Sequence, residues 1–227
     1  MKKTIIIAGS KGVMGSTVTD FFRKNYNVLE LDLQLGHDLS DEKFVKEWFK
    51  KNKGDCLINL FALNDHVDKT RFKEKDTLYD ISLDSFRKYL DVNLVALFSV
   101  CREFARNNKN GVIINFSSTY GLVSPIPQMY PGSEKHIAYG VSKAGVIQLT
   151  KHLAVHLAPN IRVNCIVPGG VKFKQTEEFQ KAYASRTPLN RMMNAEEMTG
   201  ILEYLCDDKS SYVTGSVFVI DGGWTAW

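Results

Sequence analysis

Tyr139 and Lys143 stand four residues apart in the run YGVSKAG, at the point where the sequence begins to read as a helix. Residues at i and i+4 share a helix face. A tyrosine hydroxyl has an ordinary pKa of about 10, so it moves protons poorly near neutral pH unless a cation favours the phenolate. Lys143 is placed to be that cation. With a carbonyl or an alcohol over this face, Tyr139 can exchange a proton while a hydride moves between a substrate carbon and a cofactor. Tyrosine and lysine at this spacing also occur in plain amphipathic helices, so the surrounding elements must decide between the two readings.

Those elements alternate. Thr4 to Ala8 is a short β-branched apolar run, and the amphipathic stretch from Val13 to Asn25 reads as a helix. Between them lie Gly9, Ser10, Lys11, Gly12, Val13, Met14 and Gly15, with the glycines spaced GxxGxxG. Glycines so placed between a strand and a helix allow a tight turn, close approach to a pyrophosphate and packing of helix on strand. The second strand, Asn27 to Asp32, ends on a carboxylate that can accept the hydroxyls of an adenosine ribose. Only five residues separate Asp32 from Asp38, and a helix capped by Ser40 or Asp41 follows. A helical crossover needs at least about ten to twelve residues, so the sheet is expected to lack, or nearly lack, the strand usually found outside the second. Asp38 and Leu39 are counted with the cofactor-binding residues.

Asp55 to Phe61 reads as the next buried strand and Gly111 to Ser118 as another, with a helix from Leu83 to about Asn107 between them, capped by Ser82. The helix opening at Tyr139 runs to about Ala158; IRVNCIVPGG is a strand, a helix is expected near Ala195 to Cys206, and Gly215 to Ile220 is the last strand. This order implies one α/β domain over residues 1–227: a doubly wound, Rossmann-type parallel sheet of six to seven strands.

Composition narrows the class. Hydrophobic residues make up 44% and charged residues 24% of the 227 positions, which fits one globular domain and excludes disordered and fibrous classes. The formal charge of +4 is spread without long single-sign runs, so neither nucleic acid nor a membrane is expected as partner. Cys56, Cys101, Cys165 and Cys206 are scattered through apolar segments and read as reduced core thiols. The apolar run in MKKTIIIAGS is too short for a signal peptide or a span, so a cytoplasmic protein is expected. His152 and His156 have the i, i+4 spacing of metal ligands but no further ligand nearby, and no metal is expected. Trp224 and Trp227 are read as packing at a subunit contact.

By this point the sequence resembles the short-chain dehydrogenase/reductase family over its whole length. Tyr139 and Lys143 match the family's YxxxK, NFSSTYG its serine strand, DVNLVALF its helix with a VN pair, IRVNCIVPGG its RVNxxxPG strand, and VTGSVFVIDGG its closing strand. The resemblance implies Tyr139 as acid/base, with Lys143 lowering its pKa and holding the nicotinamide ribose. It implies Ser118, three residues before Gly121, as the hydrogen-bond donor to the substrate oxygen, and Asn93 as the holder of a proton-relaying water. It places Pro168, Gly169, Gly170 and Val171 beside the nicotinamide amide. Asn59, Phe61 and Ala62 stand where the family has NNAG, of which only the first asparagine is kept. The GxxGxxG spacing is similar to a longer branch acting on nucleotide sugars, and 20 residues lie between Ser118 and Tyr139.

The implied activity is hydride transfer between NAD, preferred over NADP, and a secondary alcohol or ketone, in a homodimer or homotetramer. Two segments, 62–82 and 122–137, are expected to overhang the site. They would bring Asp65, His66, Asp68, Lys69, Arg71, Lys73, Gln128, Tyr130, Glu134, Lys135 and His136 near its mouth, a lining suited to a polyhydroxylated or anionic small molecule. A 3-oxoacyl thioester is the alternative substrate. A non-catalytic dinucleotide sensor and an NAD-retaining sugar epimerase or dehydratase are the alternatives of other classes; against the last, only seven residues follow Ile220.

Overall fold

The computed structural model describes residues 2–64, 77–130 and 134–227. Among them six strands form one parallel sheet: β1 (Thr4–Ala8), β2 (Asn27–Leu31), β3 (Cys56–Asn59), β4 (Gly111–Phe116), β5 (Ile161–Pro168) and β6 (Val217–Ile220), in the order β2-β1-β3-β4-β5-β6. β2 is therefore an edge strand, as the short spacing after Asp32 predicts. The chain there makes a single 3-10 turn, Leu33–Leu35, before α2 (Glu42–Lys51).

The apolar runs become strands because both faces of the sheet are covered. In β1, Ile5 and Ile7 enter one core with Val18 and Phe22 of α1 (Val13–Arg23) and Leu202 and Leu205 of α7 (Thr199–Cys206). Ile6 and Ala8 point the other way, into a core with Phe49 of α2, Val100 and Phe104 of α4 (Ala96–Asn107) and Val146 of α5 (Ile137–Leu157). This is the period-two alternation of a strand. Burying each such isoleucine stabilises the fold by about 1.5–3 kcal/mol. The four cysteines are buried and free, as expected of core thiols.

Several boundaries differ from the expectations. The long helix from Leu83 is divided into α3 (Leu83–Leu90), a π-helical turn at Asp91–Val95 and α4. Asn93 sits in that turn. α5 starts at Ile137, capped by the His136 ring, which accepts from the Ala138 amide at 3.2 Å. β3 ends at Asn59, so Phe61 and Ala62 lie beyond it. A helix not foreseen, α6 (Glu177–Ser185), is capped by the Thr176 hydroxyl accepting from the Phe179 amide.

Candidate active site

Strand order reverses between β1 and β3, and the crevice outside the carboxyl ends at such a reversal is where open α/β sheets bind ligands. The glycine loop lies there. Gly9 has φ +87°, and a Cβ on it would stand 2.5 Å from the Phe61 amide nitrogen; a Cβ on Gly15 would stand 1.9 Å from the Gly9 carbonyl oxygen. No side chain caps the first turn of α1, and no acidic residue occupies it. Close backbone approach and an uncapped, positive helix end suit a pyrophosphate, so the residues present fit a dinucleotide. Gly15→Ala is expected to cost about 1–3 kcal/mol by overpacking. Tm should then fall by roughly 2–4 °C per kcal/mol in a chain of this size, and titration should show weaker dinucleotide binding.

Asp32 is differently employed from the expectation. One carboxylate oxygen accepts from the Lys11 amide and the other from the Gln34 amide, each at 2.8 Å, so the side chain braces the glycine loop against the end of β2. A carboxylate has about four acceptor sites, so these bonds leave capacity for ribose hydroxyls. The Lys11 ammonium pairs with Glu30 at 2.7 Å. Leu39 is buried, and exposed Asp38 accepts from Ser40. Asn59 ends β3 inside the sheet. It is 2% exposed, and its amide donates at 2.9 Å to Asn115, which donates in turn to Thr150, so it ties β3 to β4 inside the sheet.

β4 and α5 assemble the chemical groups. Ser117 donates to the Lys143 carbonyl at 2.7 Å, and Gly121 passes so close that a Cβ would lie 2.8 Å from that carbonyl. This clamp leaves the next residue, Ser118, facing the phenol of Tyr139. Burial pushes the Tyr139 hydroxyl up to about 12, with Ser118 pulling in the opposite direction. Lys143, 4% exposed, donates to the Phe116 carbonyl at 2.9 Å, and its nitrogen lies 5.9 Å from the Tyr139 ring centre. Burial lowers its pKa to about 8. The Lys143 ammonium is engaged by the Phe116 carbonyl, and burial is the largest influence on the Tyr139 hydroxyl. Asn93 accepts from the Leu63 amide at 2.6 Å and donates to the Leu63 carbonyl and to Ser142 at 3.1 and 3.0 Å. These bonds pin the segment after β3 onto α5.

Around this centre the structure gathers Tyr130 and Trp224 with groups that the sequence did not reveal. Tyr120, Tyr130, Phe179, Tyr183 and Trp224 form an aromatic cluster with Met129 and Met192. The Tyr120 and Tyr130 hydroxyls are 2.7 Å apart, and Tyr183 accepts from the Gly170 amide at 2.5 Å, bracing the turn after Pro168. Val171 continues that turn by bridging to Met193. Trp224 is 4% exposed and stacks on Tyr183, so it packs within its own chain. Trp227 is exposed and donates to the Arg186 carbonyl at 3.1 Å. Of the expected mouth residues, Asp65, His66, Asp68, Lys69, Arg71 and Lys73 lie outside the described residues. His136 does not line the mouth; it is 1% exposed, 3.0 Å from the Ser85 hydroxyl and stacked on Tyr89. Gln128 is exposed, and Glu134 accepts from the Leu78 amide at 3.1 Å. Lys135 stands over the Tyr139 ring, 4.3 Å from its centre. His152 and His156 are exposed and stacked on each other, and among the described residues no cluster of three or more metal-ligating side chains occurs. No helix of the described residues is long and apolar enough to cross a membrane.

Comparison with known proteins gives this geometry its relatives. Residues 20–225 match the family model described as enoyl-(acyl carrier protein) reductase. The chain is 31% identical, over 98% of its length, to an uncharacterized short-chain type dehydrogenase/reductase of Sinorhizobium fredii, of which it spans 43%. It is 30% identical to the 3-oxoacyl-[acyl-carrier-protein] reductase of Aquifex aeolicus, covering 97% of this chain and 86% of that one. Among solved structures, a short-chain dehydrogenase from Leptospira borgpetersenii with bound NAD+ superposes with a TM-score of 0.86 at 30% identity, covering 99% of this chain and 93% of the other. A 4-hydroxyisoleucine dehydrogenase complexed with NADH has a TM-score of 0.83 at 30% identity, covering 99% of each chain; it has also been solved with succinate. The serine, tyrosine and lysine gathered at the ends of β4 and α5, on a sheet shared with these enzymes, make this chain a member of the short-chain dehydrogenase/reductase family.

Proposed function

We propose that the protein interconverts a secondary alcohol and its ketone on a small, polar, hydroxylated substrate, with NAD as the redox partner. The observation that carries this reading is the Ser118–Tyr139 pair, with Lys143 buried alongside. When bound in the glycine-lined crevice, a nicotinamide supplies the hydride acceptor or donor. Tyr139 takes the hydroxyl proton during oxidation and returns it during reduction, while Ser118 donates a hydrogen bond to the same oxygen and stabilises its developing charge. Lys143 would hold the ribose, and Asn93 would hold a water that relays protons to it. The phenols of Tyr120 and Tyr130, with Lys135 and Asn64, offer polar partners to a hydroxylated substrate. The likeness to 4-hydroxyisoleucine dehydrogenase supports a hydroxylated acid or sugar-like molecule over a long acyl chain; the likeness to 3-oxoacyl reductases supplies the competing substrate. Exposed Val95, Phe98 and Val155 on the π-turn, α4 and α5 fit an assembly of two or four copies.

The cofactor preference rests on charge. Two unit charges 4 Å apart interact by about 4 kcal/mol at an effective dielectric of 20. Glu30 already pairs with Lys11, the cation that would attract a 2'-phosphate, and Asp32 adds a second carboxylate at the same strand end. The expected result is a kcat/KM at least about tenfold higher with NAD than with NADP, a difference of about 1.4 kcal/mol. The reverse preference would show that Lys11 prevails. Steady-state assays on sugars, polyols and hydroxy acids, alongside an acetoacetyl thioester, test the substrate class. Turnover of the thioester with none of the others would contradict it.

A further inference from the structure

Gly169 and Gly170 follow Pro168 at the carboxyl end of β5, next in the sheet to β4, the strand that leads to Ser118. A peptide between two glycines meets little steric resistance to rotation. Here it is held from both sides. The Gly170 amide donates to the Tyr183 hydroxyl at 2.5 Å, and the Gly170 carbonyl accepts from the Met193 amide at 3.0 Å. In a planar trans peptide the N–H and the C=O point opposite ways. The Tyr183 bond therefore turns the Gly169 carbonyl away from the phenol, and the Met193 bond turns the Val171 amide away from Met193. Neither of these outward groups has a hydrogen-bond partner among the described residues. Tyr183 is itself fixed on α6: it is 5% exposed, stacks on Trp224 with ring centres 5.8 Å apart, and its carbonyl accepts from the Thr187 hydroxyl at 2.9 Å. Burial pushes its pKa up to about 12, so it stays a neutral phenol. Tyr130 lies within electrostatic reach of both Tyr183 and Tyr139, which puts this arrangement close to the reacting phenol.

We propose that Tyr183 is a cofactor-positioning residue, which locks the Gly169–Gly170 peptide with its carbonyl turned toward the carboxamide of the nicotinamide. The proposal rests on the nicotinamide chemistry of the proposed function, and on neither its substrate nor its preference for NAD. A primary amide carries an acceptor oxygen and a donor NH2. The Val171 amide and the Gly169 carbonyl, a donor and an acceptor two residues apart, complement it. Family resemblance implies that the nicotinamide amide lies beside this turn; Tyr183 is the side chain that keeps the turn in one arrangement. Without the phenol oxygen the Gly170 amide loses its partner, and the peptide between the glycines is free to swing its carbonyl away. Binding must then order the turn as well as fill it, which costs affinity. Orientation suffers with it, since a carboxamide held at a fixed acceptor limits rotation of the ring that exchanges hydride above Ser118 and Tyr139.

The test is calorimetric titration of the full chain with NADH and with ADP-ribose, which keeps every part of the dinucleotide except the nicotinamide ring. The wild type is expected to bind NADH more tightly than ADP-ribose. Tyr183→Phe keeps the ring and its stacking on Trp224, and should weaken NADH by about threefold to tenfold, the worth of one hydrogen bond, while ADP-ribose stays within about twofold of wild type. Trp224→Phe, which thins the stack and keeps the phenol, should weaken NADH selectively but by less, and it decides the matter if Tyr183→Phe does not fold. Losses equal for the two ligands would mark a merely structural role and overturn the proposal. Unchanged NADH binding in Tyr183→Phe, or a wild type that binds both ligands alike, would overturn it as well. These titrations need no turnover. Failure to oxidise any alcohol would thus refute the proposed substrate class while the Tyr183 result stands, and a failed Tyr183 result would leave that class untouched.

Discussion

Tyr139→Phe is expected to lower kcat by about a hundredfold to ten-thousandfold, the range attributed to positioned proton transfer, while leaving the dissociation constant for the dinucleotide within a few-fold of wild type. The substitution removes one oxygen and keeps the ring. Packing against Tyr89 and Ala138 and the Lys135 contact over the ring face therefore persist, and the loss can be assigned to the proton. Tyr130 is the rival phenol, and the structure disfavours it. Burial raises its pKa beyond that of Tyr139, the neighbouring Tyr120 raises it further, and its hydroxyl is paired with Tyr120 at 2.7 Å. Tyr130→Phe should keep a larger share of activity than Tyr139→Phe; the opposite ranking in steady-state assays would transfer the acid/base role to Tyr130.

Lys143→Met should separate function from stability. Turnover is expected to fall by about tenfold to a thousandfold, the effect of removing a cation worth one to three pKa units to a neighbouring anion, and dinucleotide affinity should fall with it. Yet the folded protein is expected to become more stable near pH 7. The Lys143 pKa is lowered from 10.5 to about 8, so the folded chain carries this buried charge at a cost of about 3 kcal/mol, less what the Phe116 hydrogen bond returns. The sign is set by proton counts. Below pH 8 both states are protonated and the whole cost is present; between about 8 and 10.5 the unfolded chain binds more protons, so wild-type stability rises with pH. The advantage of Lys143→Met in urea unfolding should thus be largest below pH 8 and shrink above it. An advantage independent of pH would show that the buried ammonium is not its source.

How much of this could be read from the sequence depends on how local each feature is. Parallel strands buried on both faces leave unbroken apolar runs, so Thr4–Ala8 and Ile161–Pro168 were legible, and the five residues after Asp32 were enough to foresee β2 as the sheet edge. Ser118 and Ser117 were separable only through the family resemblance, whose serine stands three residues before a glycine, and the structure gives the physical difference, since Ser117 is bonded to the α5 backbone. Features made by distant segments were hidden. The side chain of Asn93, in the π-turn, bonds to Leu63 and Ser142, contacts which no periodicity on its own helix encodes. The aromatic cluster draws on residues 120–130, 179–183 and 224, so the partners of Trp224 are remote in sequence. The Thr176 cap followed by two glutamates was a readable start signal for α6 that the lysines before it obscured. The Asp32 bonds to loop amides could not be inferred from a strand-end carboxylate alone.

The central claim, that the Tyr139 hydroxyl carries the proton in a nicotinamide-linked alcohol oxidation, is tested most directly by single-turnover kinetics. Enzyme saturated with NAD is mixed with an alcohol that it oxidises, and formation of the reduced nicotinamide is followed from pH 6 to pH 10 in wild type and Tyr139→Phe. The account predicts a wild-type rate that climbs with pH as the proton acceptor is freed, and a variant that is slower by at least about a hundredfold with no such climb. A Tyr139→Phe protein that transfers hydride at the wild-type rate, or that keeps the wild-type pH profile, would contradict it.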